Sequence, residues 1–220
     1  MKRKIITTAD GSKTIQIEEW NEQYHSKHGA IQEAYHVFIK HGLTLFNSSE
    51  IAILEIGFGT GLNALITTLE APKHKLAIRY TGIEAYPVAA EEVSQLNYIE
   101  QLNAPQAKVD FEKMHMAPWE TRVEILPNFT LHKKQQDFLE IKAENMYNLI
   151  YFDAFGARVQ PELWTETIFA IMYKALQSNG VLVTYAAKGS VRRAMLAVGF
   201  TVERLPGPPG KREMLRATKS

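Results

Sequence analysis

The chain has 220 residues, 45% hydrophobic and 22% charged, enough for one α/β domain with a full core and too apolar for long disorder. Zero cysteines exclude disulfides, zinc–thiolate centres and thiol nucleophiles. A net charge of +1, from 25 basic and 24 acidic residues, excludes a global field that would announce a polyanionic partner, leaving room only for a local patch. The basic start MKRKIITTADGSKTIQI has no apolar leader segment, and no run of about eighteen apolar residues follows, so a cytoplasmic protein without membrane contact is expected.

ITTADGSKTIQI predicts two short strands around Asp10-Gly11, a dipeptide suited to a tight hairpin. Residues 30–46 space Ile31, Ala34, Tyr35, Phe38 and Ile39 at three and four, which predicts one amphipathic helix. IAILEIG is a buried strand, GLNALITTLEA a helix stopped by Pro72, and IRYTGIEAYP a second strand ending at Glu84, with a helix beginning near Pro87. Residues 93–121 lack strand character and carry two prolines, so short helices are expected there. VEILPNFTLHKKQQDFLEI gives strands and the turn residue Asp137, and YNLIYFDAFG a strand ending at Asp153. WTETIFAIMYKALQSNG is expected as a helix closed by Asn179-Gly180, VLVTYAA as a strand, VRRAMLAVGF as a helix capped at Gly199, and TVERL with EMLRATK as a terminal pair. Strands alternating with helices predict a largely parallel sheet covered on both faces. With no repeats and no linker, a single domain is expected: an N-terminal hairpin and helix over 1–46 packed on a core of 47–220.

In open α/β sheets ligands bind beyond the carboxyl ends of the strands, where the first strand-to-helix turn lies. Here that turn reads E-x-G-x-G-x-G, from Glu55 through Gly57, Phe58, Gly59 and Thr60 to Gly61. Glycines permit a tight turn and close approach of backbone to a ligand. The spacing departs from the dinucleotide form G-x-G-x-x-G and matches the form typical of S-adenosylmethionine (SAM) methyltransferases, in which no pyrophosphate is held and an acid such as Glu55 faces a cationic ligand. The alternative is a tight turn and nothing more. Glu84, at the end of the next strand, is placed for two ribose hydroxyls. Asp137 is placed for the adenine amino group or, equally, as a helix N-cap. Asp153 ends a central strand beside the expected methyl group, its alternative being a turn aspartate.

Several blocks in one order, FGTGLN (58–63), DAF (153–155), PELWTETIF (161–169), GVLVTYAAKGSVRRAMLAVGF and GKREML (210–215), with YHSKHGAIQEAYHVFI (24–39) upstream, resemble the methyltransferase domain of the MnmC family of tRNA wobble-uridine modification enzymes. The resemblance spans about residues 20–215. It implies a Rossmann-like class I SAM-dependent methyltransferase with a mostly parallel seven-stranded sheet. It also implies methyl transfer to the amine of 5-aminomethyl-2-thiouridine in tRNA, giving 5-methylaminomethyl-2-thiouridine, with Asp153 as the catalytic carboxylate. Bifunctional members carry a second, FAD-dependent domain for which 220 residues leave no room, so a stand-alone methyltransferase using SAM, without FAD or metal, is expected.

Glu33 and Tyr24 are candidates for the cofactor's ammonium and for a cover over the site, or else a solvated helix glutamate and a packed tyrosine. Phe155 and Trp164 are candidates for an apolar wall at the base, or for core packing. Lys188, Arg192, Arg193, Lys211 and Arg212 are candidates for one tRNA-facing rim, or solvated charges. His25, His28 and His36 fit no metal-ligand spacing and are expected at the surface. No obligate protein partner is evident. Competing functions are methylation of a small amine or another RNA base, aminopropyl transfer, and SAM binding without catalysis.

Overall fold

The computed structural model describes residues 2–220. Its first elements are β1 (Arg3–Thr7), β2 (Lys13–Ile17), β3 (Glu22–Gln23) and α1 (Ala30–Ala34). The core then runs through β4 (Glu50–Ile56), α2 (Leu62–Glu70), β5 (Ala77–Ile83) and the short helices α3 (Ala90–Val93), α4 (Tyr98–Gln101) and α5 (Lys108–Met116). It continues with β6 (Arg122–Leu126), β7 (Phe129–Lys134), β8 (Tyr147–Phe152), α6 (Glu166–Ala175), β9 (Leu176–Thr184), α7 (Gly189–Ala197), β10 (Phe200–Pro206) and β11 (Glu213–Lys219).

The main sheet has eight strands in the order β10-β11-β9-β8-β4-β5-β7-β6. From β9 to β7 every pairing is parallel, while β6, β11 and β10 join antiparallel at the edges. The strand beyond the expected seven is accounted for at the β6 edge, where β6 turns back onto β7 across Pro127-Asn128. Because β4 pairs with β5 on one side and β8 on the other, the chain order reverses between β4 and β8, and the crevice at that reversal is where an open α/β sheet holds its ligand.

Strand periodicity divides the core. Ile51 and Ile53 of β4 face a layer with Val37, Phe38, Leu62 and Leu65, whereas Ala52, Leu54 and Ile56 face a layer with Ile168, Phe169, Met172, Val191 and Met195. Each of these large side chains contributes about 1.5–3 kcal/mol by burial, and together they fix the register that places Glu55 and Asp153 at strand ends.

Two elements differ from expectation. The helix predicted over 30–46 is α1 followed by a π-helical turn, Tyr35–Lys40, and a 3-10 turn, Leu43–Leu45. The break falls at Gly42, where a Cβ would collide with the Phe38 carbonyl and crowd Val183, so the chain packs its backbone onto β9 there. The helix predicted to close at Asn179-Gly180 ends instead at Ala175. Leu176 already pairs with Tyr147, and Asn179, at φ +62°, lies in a bulge before Val181 pairs with Leu149.

The expected hairpin is β1–β2, extended to three strands by β3. Asp10 ties its turn to α1 by accepting the backbone N–H groups of Ser12 and Gln32 at 3.1 Å each. This small sheet is also fastened at two further points. The Arg3 guanidinium donates to the Tyr86 and Pro87 carbonyls and to Glu92, and that of Arg158 donates to the Trp20 and Asn21 carbonyls and to Glu22. Ile17, Trp20, Tyr24 and His25 are thereby held over the carboxyl ends of β4 and β8. No helix among the described residues is long and apolar enough to cross a membrane.

Candidate active site

The turn after β4 is held by backbone. Gly57 and Phe58 donate their N–H groups to the Ile83 carbonyl at 3.0 and 2.9 Å, and Gly59 N–H donates to Glu84 Oε2 at 3.0 Å. Two glycines are sterically required. At Gly57 (φ +87°) a Cβ would lie 2.9 Å from the Asp153 carbonyl oxygen, and at Gly59 (φ +50°) it would lie 3.1 Å from the Tyr24 ring. The loop thus closes on the strand that carries Asp153 as well as on the space in front of it. Gly61 is the left-handed N-cap of α2. The Thr60 hydroxyl is buried against that of Tyr98 at 2.9 Å. Phe58 covers Gly82, with its ring near Trp119 and the Lys133 ammonium.

A cavity of about 220 Å³ lies in front of this turn, lined among others by Tyr24, Glu55, Asn63, Glu84, Asp137, Asp153 and Phe155. Glu55 is 1% exposed, an expensive place for a carboxylate. Asn63 Nδ2 donates to Glu55 Oε1 and to Asp153 Oδ2, both at 2.9 Å, so one amide bridges two acids from neighbouring strands. Burial pushes the Glu55 carboxyl well above the usual carboxylate range, with the Asp153 charge adding to the effect and the Asn63 hydrogen bond opposing it. Asp153 is pushed up in the same direction, by burial first and then by the charge of Glu33, against the Asn63 hydrogen bond and Lys211. Glu55 Oε2 and Asn63 Oδ1 are buried acceptors with no partner. Both belong to residues of the cavity wall, and the Tyr80 hydroxyl, likewise buried without a close hydrogen bond, faces Glu55 as a donor.

Glu84 accepts from Gly59 N–H and, through Oε1, from Tyr86 N–H at 3.0 Å, which fixes its carboxylate at the strand end. Asp137 caps the turn Phe138–Glu140 by accepting Leu139 N–H at 2.8 Å, while also lining the cavity. Phe155 stands edge-on to Trp20 and Tyr24, with centroids 5.5 and 5.0 Å away. Trp164 does not line the cavity: it is 5% exposed, packs on Phe152 and donates its indole N–H to the Phe155 carbonyl at 2.7 Å. Glu33 is also set apart, paired with the Lys211 ammonium. Lys188, Arg192 and Arg193 follow one another on α7 and its N-cap, and Arg212 lies in the β10–β11 turn. Those four make no ion pair among the described residues, in contrast to Lys211. His25, expected at the surface, is half-buried at the cavity with its ring against Tyr98 and Nδ1 2.9 Å from the Thr14 hydroxyl. Among the described residues no group of three or more His, Asp or Glu could hold a metal ion.

Sequence reading missed Asn63, Arg3 and Trp20. Asn63 left one signal: an amide at the start of an otherwise apolar helix, LNALI, immediately after the glycines. Arg3 and Trp20 left none, because their place at the cavity depends on how the small N-terminal sheet docks.

A parallel sheet reversing at β4, a glycine turn after that strand and carboxylates ending β4, β5 and β8 define the class: Rossmann-like, SAM-dependent methyltransferases. The family model described as "S-adenosyl-L-methionine-dependent methyltransferase" matches residues 97–220, over half of the chain, and the protein belongs to that family. That match lies outside the glycine turn, so turn and family are separate observations.

Among its relatives, the tRNA 5-methylaminomethyl-2-thiouridine biosynthesis bifunctional protein MnmC of Aromatoleum aromaticum is 30% identical over 213 residues, covering 90% of this chain and 32% of the relative. That of Hydrogenovibrio crunogenus is 27% identical, covering 89% and 31%. The chain spans about a third of the length of the curated relatives it matches. In structure it is similar to MNMC2 from Aquifex aeolicus, with TM-score 0.77 and 26% identity over 100% of this chain and 70% of that one. Spermidine synthase from Thermotoga maritima shares the fold, with TM-score 0.61 and 14% identity over 99% of this chain and 69% of that one.

The residues present fit the family's cofactor. The acceptor Asn63 Oδ1, without a partner, and the Glu55 carboxylate, faced beyond Asn63 by the Tyr80 hydroxyl alone, suit a cationic N–H donor such as the ammonium of SAM, and Glu84, already oriented by two backbone N–H groups, keeps lone pairs for a diol. The wall offers no lysine to a phosphate; its one cationic side chain, Arg3, is already engaged with Tyr86, Pro87 and Glu92.

Proposed function

We propose that this methyltransferase acts on the amine of 5-aminomethyl-2-thiouridine at the tRNA wobble position, giving 5-methylaminomethyl-2-thiouridine. The observation that carries the reading is Asp153: a half-buried carboxylate at the end of β8, in one cavity with the glycine turn and bridged through Asn63 to Glu55. The MnmC relatives, which match about nine-tenths of this chain and are named for biosynthesis of tRNA 5-methylaminomethyl-2-thiouridine, support this product.

SAM, when bound, supplies an electrophilic methyl group on sulfur. The residues must then deal with the amine. A primary alkylamine titrates near the lysine value of about 10.4, so making it neutral at pH 7 costs about 4–5 kcal/mol. Asp153 is suited to take that proton: R–NH3+ and the carboxylate become R–NH2 and the carboxylic acid. Its upward shift brings it nearer the amine, which is what a base operating near neutrality needs. Phe155, Trp20 and Tyr24 screen the reacting atoms from water, and Asn63 keeps the Asp153 carboxylate from turning away. Lys188, Arg192, Arg193 and Arg212, free of internal ion pairs, are the cations for the tRNA backbone.

Nucleoside mass spectrometry of tRNA from cells lacking the gene tests the reading. Accumulation of 5-aminomethyl-2-thiouridine with loss of the methylated base is expected. Unchanged wobble nucleosides would overturn it and direct the search to small amines.

A further inference from the structure

One ion pair outside the cavity wall has no part in the steps above. Glu33 of α1, 6% exposed, accepts Ser26 N–H at 3.2 Å through Oε1 and the Lys211 ammonium through Oε2. Lys211 belongs to the β10–β11 turn, 178 residues along the chain, and its Nζ stands 3.8 Å over the Tyr185 ring. The Tyr185 hydroxyl donates to the carbonyl of Ala154 at 2.8 Å, the residue after Asp153. An ammonium between a carboxylate and an aromatic face, connected by one tyrosine to the loop of the catalytic acid, is more than a surface pair. Half-buried and desolvated, it makes the stronger kind of both contacts.

We propose that Lys211 is a positioning residue of the methyl-transfer site: it neutralises the buried carboxylate of Glu33 and through Tyr185 holds the loop on which Asp153 is carried. The proposal rests on the assignment of Asp153 as the proton acceptor. The groups facing Asp153 are Glu33 from α1, Asn63 from α2, Glu55 from β4, Tyr80 from β5, Tyr185 after β9, and Lys211. Of these, the charge of Glu33 pushes Asp153 upward and that of Lys211 pulls it down. Without Lys211, the Glu33 charge would act on Asp153 unopposed and raise it further, leaving less of it ionised to accept a proton at neutral pH.

The chain has only four aspartates, Asp10, Asp110, Asp137 and Asp153, so carboxyl-labelled aspartate with Asp153→Asn for assignment gives a readable carbon NMR titration. In Lys211→Met the Asp153 midpoint is expected to rise by about one unit, and in Glu33→Gln/Lys211→Met to return toward that of the parent. Methyl transfer at pH 7 is expected to drop about tenfold in Lys211→Met, to recover as pH rises, and to be restored in the double variant, with SAM affinity constant throughout. An unmoved Asp153 midpoint, or a loss that Glu33→Gln fails to rescue and that appears in the KM for tRNA, would overturn the proposal and make Lys211 an RNA contact or a structural residue. If the parent methylates no tRNA at all, the acceptor assignment fails, and the carboxyl titration still decides the role of Lys211.

Discussion

The two halves of the crevice are built differently. On the β4–β5 side, Gly57, Gly59 and Glu84 are joined by backbone hydrogen bonds among residues close in sequence or on adjacent strands. On the β8–β9 side the contacts come from remote segments: Asn63 of α2 donates to Asp153, Tyr185 after β9 donates to the Ala154 carbonyl, and Lys211, paired with Glu33, stands over the Tyr185 ring. The first half is fixed by backbone hydrogen bonds. The second is balanced by charge and is where acceptor chemistry can be tuned.

The largest effect that separates the halves is on turnover. Asp153→Asn is expected to lower kcat by about 10²–10⁴ while SAM affinity changes little, because general base catalysis is lost and the cofactor walls remain. Single-turnover methyl transfer alongside calorimetric SAM binding checks this, and equal loss of both would merge the two halves into one.

Next comes Glu55→Gln, which should weaken SAM by about 10- to 100-fold through loss of one charge-assisted hydrogen bond. The same variant should stabilise the ligand-free protein at higher pH. Glu55 titrates higher folded than unfolded, so the folded state binds the extra proton and stability falls as pH rises from the ordinary carboxylate range through the raised value. As pH rises above the ordinary carboxylate range, the parent's Tm should therefore fall more than that of Glu55→Gln. Parallel Tm curves would show that Glu55 is charged in the ligand-free state.

A smaller effect is expected from Gly57→Ala, which places a Cβ 2.9 Å from a backbone carbonyl at positive φ. It should cost about 1–3 kcal/mol in urea unfolding and impair SAM binding and turnover together, since the glycine touches both halves. The smallest is Arg192→Glu, outside the cavity: tRNA affinity should weaken, with its salt slope reduced by about one, and SAM binding should stay constant. An unchanged salt slope would remove α7 from the RNA interface.

What could be read from the sequence follows the same division. The glycine turn, Glu84 and the strand ending at Asp153 were legible because each is local: a short apolar run, then glycines or an acid at its end. The parallel sheet followed from strands alternating with helices, although Asn179-Gly180, a strong helix-closing signal, proved to mark a bulge inside β9. The partners of Asp153 were not legible. Nothing within ten residues of Glu33 indicates that Lys211 will occupy its carboxylate, and Trp164, three residues into a motif that resembles the family, packs into the core instead of facing the cavity. Such contacts depend on how distant elements dock, which the local pattern does not encode.

The most direct test of the central claim is transfer of labelled methyl from SAM to tRNA bearing 5-aminomethyl-2-thiouridine, with tRNA lacking that base and the Asp153→Asn variant in parallel. The account predicts label on the modified tRNA alone, and its loss in the variant with SAM still bound. Label on neither tRNA, or equal label with Asn at 153, would contradict it.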